Sequence, residues 1–342
     1  MVLILKDTKW MPAIWLELFN LDILMKPVSD GLMPITQEQR TFWIISLELK
    51  LRKCSGDSFQ NFFSTMMEKI HGDDFIRIRP YGSLGDKGCD GYLRSNGQVF
   101  QCYGALNGDS DKVKYLISKM GEDFKKALEA IPSIMKEWHM VHNLVDGLPI
   151  EAVEKLKELE NTNKELKFGF IGREGFEVRI LNLPIEKIQD LLGPAATNQD
   201  AQNMQVVELQ HLINAVANAV DELRFDVTTI RPVPPEKLDF NNLPNHWRSL
   251  IAGGWQNSHH VSSYFENHHD VEIGEKIAQK FRDKYKYLKN QNLQSGEIMS
   301  HLYEFVAGGG EVLPQRQVAV QALLAYLFEN CDIFENPPDT AK

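Results

Sequence analysis

An α/β domain with a central mixed sheet, followed by an all-α domain, is the fold class that this sequence predicts. Three observations predict it. Helical and strand patterns alternate between residues 36 and 194. A proline-rich stretch, "RPVPPEKLDFNNLP" at 231–244, then interrupts the chain. Beyond it the apolar residues recur with helical period only. The length of 342 residues suits two domains.

Residues 1–33 carry no clean period, and two readings stay open: a short helix docked on the body, or a natural start at Met33. "TQEQRTFWIISLELKLRK", 36–53, predicts a helix, with Thr36 as N-cap and Gln39 completing a capping box. "GDSFQNFFSTMMEKIHG", 56–72, predicts a second, closed by Gly72. Its apolar face is Phe59, Phe62, Phe63, Met66, Met67 and Ile70. Three strands follow: "FIRIRP", "CDGYL" and "QVFQCY", the last two joined by the turn composition "RSNG". Then come a helix over 111–131, the strand "EWHMVHNLV", a charged helix over 150–161, and the strands "LKFGFIG" and "FEVRIL". A helix over 200–224 follows a Pro/Ala/Asn/Asp-rich break. Past the proline-rich boundary, helices are expected at about 245–253, 258–267, 272–289, 295–307 and 314–330. The expected division is an N-terminal extension at 1–35, an α/β domain at 36–194, a linker helix at 195–230 and a helical domain at 231–342.

Apolar residues make up 43% and charged residues 25%, ordinary for a soluble globular protein. No apolar run approaches the ~20 residues that span a bilayer. "MVLIL" is interrupted by Lys6, Asp7 and Lys9, and no small-residue cleavage site follows, so a secretory signal is not expected. Cys54, Cys89, Cys102 and Cys331 form no CxxC pair, which suits reduced thiols in the cytoplasm. A net charge of −10 argues against a protein that coats nucleic acid unaided. Any DNA contact is then local, or arranged by a partner.

The chemistry concentrates on the second and third strands. Metal-assisted phosphodiester cleavage needs oxygen ligands for Mg²⁺, a polarised phosphate and a cation near the developing negative charge. Asp90 and Gln101 lie eleven residues apart across a short turn. Gln101 and Tyr103 share a strand face, and Cys102 points to the other, though its backbone carbonyl can also reach a metal. Gly82, Gly85, Gly88 and Gly91 allow close backbone approach around Asp90. The plainer reading keeps Asp86 and Asp90 as turn formers before a buried hairpin. Elsewhere, His139 and His142 fall on opposite strand faces, and "SHH" and "NHH" lack the carboxylates or thiolates of a zinc set. "AGGGEVLP" lacks the Lys-Ser or Lys-Thr of a P-loop, so no ATPase is expected in this chain. The basic helix 276–289 reads as a solvated face, or as a contact for DNA or an acidic partner.

"LGDKGCDGYLRSNGQVFQCY", 84–103, resembles the core of restriction-endonuclease-like nucleases, the PD-(D/E)xK superfamily, in the branch with Gln at the third position. "SFQNFF" is similar to the opening helix of that core. The resemblance implies a restriction-endonuclease-like fold and Mg²⁺- or Mn²⁺-dependent hydrolysis. Asp90 would bind the metal, Gln101 would be the Glu/Gln ligand and the Cys102 carbonyl a further one. The lysine position holds Tyr103, a departure, because a phenol carries no positive charge and at best donates a hydrogen bond. Replacement cations are sought in Lys112 and Lys114, which open the next helix, and in Lys87. Lys87, Lys119, Lys125 and Lys126 are the candidates for phosphate contact.

"PVPPEKLDFNNL", "FRDKYKYLK" and "AYLFENCDIFENP" resemble the C-terminal module of bacterial ABC-three-component conflict systems, which include Lamassu-type antiphage systems. That resemblance implies an effector held by an SMC-like ABC ATPase and a small middle component. It implies a DNA substrate, a homo-oligomer as one possible active form, and no membrane. The alternative is a catalytically degenerate subunit that binds nucleic acid or scaffolds the ATPase.

Overall fold

The computed structural model describes residues 34–79, 87–105, 112–204, 206–218, 236–330 and 333–337. The expectations for residues 1–33, Gly82, Gly85, Asp86, the prolines of "RPVPP" and Cys331 lie outside the described residues.

Helix α1, Gln37–Lys53, begins as its sequence demands: Gln39 N donates to Thr36 Oγ1, and Thr36 N donates to Gln39 Oε1. Helix α2, Gly56–His71, presents its phenylalanines and methionines to a sheet. A single 3₁₀ turn at Gly72–Asp74 leads into strand β1, Phe75–Arg77, shorter than the expected "FIRIRP". Strands β2, Gly91–Leu93, and β3, Gln98–Tyr103, form the expected hairpin. Helix α3, Lys112–Ala130, crosses over to β4, Glu137–His142. Helix α4, Ile150–Thr162, crosses to β5, Lys167–Ile171. The sheet order is β1-β2-β3-β4-β5, antiparallel over β1–β3 and parallel over β3–β5.

Strand parity sorts the core. Phe100, Cys102, Val141 and Ile171 join Phe59 and Phe63 on the α2 side. Val99, Tyr103, Trp138 and Met140 pack with Leu116, Met120 and Phe124 of α3 and with Ala152 and Leu159 of α4.

Three expected elements come out differently. "FEVRIL" is not a strand but the end of helix α5, Arg173–Leu181. Its alternation coincides with helical spacing: Phe176 and Ile180 are buried four residues apart, while Val178 between them is exposed. The helix expected over 200–224 is two pieces among its described residues, α7, Asn198–Gln202, and α8, Val206–Asn218. Thr197 and Asp200 form the capping box of the first. Between α5 and α7 runs α6, Ile185–Leu192. The helices expected at 245–253 and 258–267 are one, α10, Asn245–Glu266. Gly253 and Gly254 do not break it; a Cβ on Gly254 would sit 2.4 Å from the Gln321 carbonyl oxygen. These glycines serve a close helix crossing instead of a stop.

The remaining helices are α9, Glu236–Phe240; α11, Ile273–Asn290; α12, Ser295–Ala307; and α13, Pro314–Glu329. Helix α13 is buried nearly all round, and α8 turns Leu209, Leu212, Ile213 and Val216 into the same core. Helix α1 belongs to both halves. Trp43 Nε1 donates to Gly193 O, and Glu48 reaches α10 and α12. The apolar core therefore runs without interruption from the α2 side of the sheet into the helical region. Among the described residues, no helix is long and apolar enough to cross a membrane.

Candidate active site

The hairpin register fixes the first two residues. Gly91 pairs with Phe100, and Asp90 lies one position beyond the end of β2, beside the strand that carries Gln101. On the other side Ile78 N donates to Asp90 O, and Asp90 N donates to Phe100 O. Asp90 is thus held by backbone bonds to both neighbouring strands. Gly88, at φ +72°, brings the loop before it onto α3, where any Cβ would lie 2.1 Å from Asp123 O. Only glycine permits that approach.

The Asp90 carboxylate is buried and held from two directions. Its Oδ2 accepts from the Cys102 backbone N–H at 2.7 Å, and its Oδ1 accepts from Gln60 Nε2 of α2 at 2.5 Å. Burial, with Asp90 and Cys89 beside it, pushes the Cys102 thiol well above its ordinary range. Gln101 is 2% exposed, and among the described residues its Oε1 accepts no hydrogen bond. A buried acceptor without a partner is destabilising by about 1–3 kcal/mol and calls for an explanation.

The expected lysines separate in space. Lys87 is exposed in the loop before Asp90, at φ +54°. The backbone of Lys112 opens α3, and Lys114 on its first turn is exposed. Lys125 is exposed and 3.9 Å from Glu129. Lys119 differs: it is half-buried, and its Nζ lies 2.6 Å from Asp123 Oδ2. Burial works against its charge, yet the Asp123 hydrogen bond and the negative fields of Asp123, Tyr115 and Asp90 raise it overall. Lys126 reaches the other Asp123 oxygen at 3.3 Å. Tyr103 is buried in the α3-side core, its ring 6.3 Å from that of Tyr115.

Gln60 and Asp123 were not among the sequence candidates, and Lys119 was placed with the phosphate contacts. Gln60 had a signal: it is a polar residue inside "SFQNFF". Asp123 is legible only through its i, i+4 relation to Lys119, since helical contacts of this kind depend on which face is covered.

The donor set suits a hard divalent cation. A carboxylate and an unpaired amide oxygen on adjacent strands supply two oxygens, and Mg²⁺ keeps waters for the rest. Among the described residues, no three His, Cys, Asp or Glu side chains cluster as a metal site. Any cation here would be held by Asp90, Gln101 and solvent.

The helical half has its own constellation. Lys237 is fully buried, and its Nζ donates to Phe328 O at 2.8 Å and Ile333 O at 2.9 Å, capping the end of α13. Asn241 Nδ2 donates to Glu335 O, and Tyr285 Oη donates to the Glu335 carboxylate, which also pairs with Lys289. The stretches "EKLDFNNL", "FRDKYKYLK" and "AYLFEN…IFENP" therefore meet at one end of the helical region, around Glu335. Residues 207–335 match C-terminal domain 10 of the ABC-three component systems. The match starts inside α8, so a helix expected as a linker contributes its buried face to the matched region. No curated protein and no solved structure matches the chain.

Proposed function

We propose that the chain is a metal-dependent DNA endonuclease effector of a bacterial antiphage ABC-three component system. Its sheet carries the nuclease, and its C-terminal domain docks on an SMC-like ABC ATPase and a small middle component in the cytoplasm. The observation that carries the nuclease reading is a buried, hydrogen-bonded Asp90 carboxylate beside the strand that carries Gln101, whose buried Oε1 accepts no hydrogen bond among the described residues. The order α2-β1-β2-β3-α3-β4, antiparallel then parallel, supports a restriction-endonuclease-like core. The ABC-three component match supports a multi-subunit setting.

In this reading Asp90 and Gln101 would hold Mg²⁺ or Mn²⁺, and the ion would supply polarisation of the phosphate and activation of water. Gln60 and the Cys102 N–H fix the Asp90 carboxylate, so its orientation is set before substrate arrives. Lys119 is the cation that takes over from Tyr103. It lies on α3 against the Asp90 loop and stays protonated. Water adds to phosphorus, the bond to one sugar oxygen breaks, and that oxygen takes up a proton.

A second reading is favoured by the same contacts. Both Asp90 oxygens already accept hydrogen bonds, and Lys119 is paired with Asp123. A degenerate core that binds nucleic acid or scaffolds the ATPase would keep these contacts for stability alone. Plasmid cleavage by the purified chain, alone and with its partner components, in Mg²⁺ or Mn²⁺, decides between them. Cutting that disappears in Asp90→Ala supports the enzyme; no Asp90-dependent cutting under any of these conditions sinks it.

A further inference from the structure

Among the basic side chains near the Asp90 site, Arg77 on β1 and Lys119 and Lys126 on α3 are paired with carboxylates. Arg77 donates from Nε and Nη2 to the two Glu68 oxygens at 2.7 Å each. It also donates to Thr65 Oγ1 at 3.1 Å. Lys119 and Lys126 share Asp123. Arg79 is exposed, and among the described residues it has no carboxylate partner. Its guanidinium donates to Asn61 Oδ1, an amide with no charge to cancel it.

The position of Arg79 is not incidental. Gln60 and Asn61 are consecutive on α2; Gln60 holds the Asp90 carboxylate while Asn61 holds Arg79. The backbone of Ile78, its neighbour, is bonded to Asp90 O. Continuing the register of Arg77 with Gly91 sets Arg79 opposite Cys89, next to Asp90. Two consecutive amide side chains thus hold a buried carboxylate and a surface guanidinium that has no carboxylate partner among the described residues. A guanidinium offers a planar fork of donors that fits phosphate oxygens.

We propose that Arg79 is a phosphate-binding residue at the mouth of the Asp90 site, and that its ligand is the phosphodiester backbone of a nucleic acid. This rests on the nuclease reading for its biological purpose, but the binding itself requires neither metal nor catalysis. Asn61 positions the fork, and Arg77, locked to Glu68, does not contribute a free charge.

The test is metal-free binding by the full chain, read as fluorescence anisotropy of labelled duplex DNA and of labelled RNA in EDTA over a series of salt concentrations. Arg79→Ala is expected to weaken binding about tenfold at 0.1 M salt and to reduce the salt slope by about one, as for one lost phosphate contact. Arg79→Lys restores most of both. Lys157→Ala, on the exposed face of α4 and paired with Glu160 at 2.7 Å, leaves both unchanged. Equal affinity and slope for the wild type and Arg79→Ala, or no binding of either nucleic acid by the wild type, overturns the proposal. Arg79-dependent binding without Asp90-dependent cleavage keeps the phosphate site and removes the nuclease, so the two failures are distinguishable. Because Arg79 is exposed, its variants keep the wild-type thermal midpoint; a shared loss of folding in Ala and Lys variants would show a structural role and also overturn it.

Discussion

Glu48 Oε2 lies 2.6 Å from Nε2 of His246, across 198 residues of chain. Burial alone would raise the Glu48 carboxyl, but the His246 hydrogen bond and the charges of His246 and Arg52 hold it down at about 2. An ionised carboxylate only accepts, so His246 Nε2 carries the hydrogen. Ser300 Oγ and the Arg52 guanidinium donate to the other Glu48 oxygen. Arg52 continues to Asp146 through two bonds of 2.8 Å.

Glu48→Ala leaves His246 and part of Arg52 buried without their acceptor, and Ser300 with the Gly296 carbonyl alone. A loss of about 3–5 kcal/mol is expected, the usual result of removing one partner of a buried pair. Urea unfolding followed by tryptophan fluorescence and by circular dichroism checks it. In the wild type the two probes should coincide, because one core joins the sheet to the helical region. In the variant they should separate.

Two acid windows are expected, from two residues. Burial lowers His142 from 6.5 to about 4, against the field of Glu174. Between those values the unfolded chain binds more protons, so stability falls as pH drops from 6.5 to 4, by roughly 3 kcal/mol in all. His142→Leu should flatten that limb. Glu48 acts lower: its depressed carboxyl contributes stability that is whole above pH 4.5 and lost towards pH 2. Urea midpoints measured from pH 3 to 7 separate the two, and an unchanged upper limb in His142→Leu would contradict the assignment.

Gln101→Leu removes a buried oxygen that accepts no hydrogen bond among the described residues. If that oxygen is kept for a cation, the variant should be as stable as the wild type or about 1 kcal/mol more stable, while metal-dependent cleavage is abolished. Thermal melting beside plasmid cleavage reads both. A clear loss of stability would assign the amide a structural role.

Tyr103 and Lys119 make opposite predictions. Tyr103→Phe should keep cleavage within about twofold, since the ring packs in the core and the cation comes from α3. Lys119→Met should lower cleavage by a hundredfold or more, on the scale of one electrostatic stabiliser. Lys114→Met, on the exposed first turn, should not. Equal losses in the two lysine variants would point to diffuse charge instead of a placed one.

Much of this architecture was legible in the sequence. Thr36 and Gln39, the phenylalanine face of α2 and the 2-residue alternation of β3 are local signals, and local signals survive folding. What was not legible depended on a distant partner. Phe176 and Ile180 fit either period until the core chooses one. Gly253 and Gly254 look like a stop until Gln321, 67 positions after Gly254, comes close. At the site, Asp90 and Gln101 were readable from a hairpin. Lys119 was read only as a phosphate contact, because helix facing, not nearness in sequence, decides which lysine turns inward.

The long reach of Glu48 also bears on how the protein is made. Its partners His246 and Ser300 follow it by 198 and 252 residues. A ribosome delivers them only after the sheet and its helices have emerged. Until then Arg52 of the same helix is the partner of the Glu48 carboxylate, the apolar face of α1 is uncovered, and the first half of the fold lacks its closing layer. Completion of the sheet region is therefore tied to arrival of the C-terminal helices. A truncated product that ends before residue 207 would also lack the contacts that finish the rest.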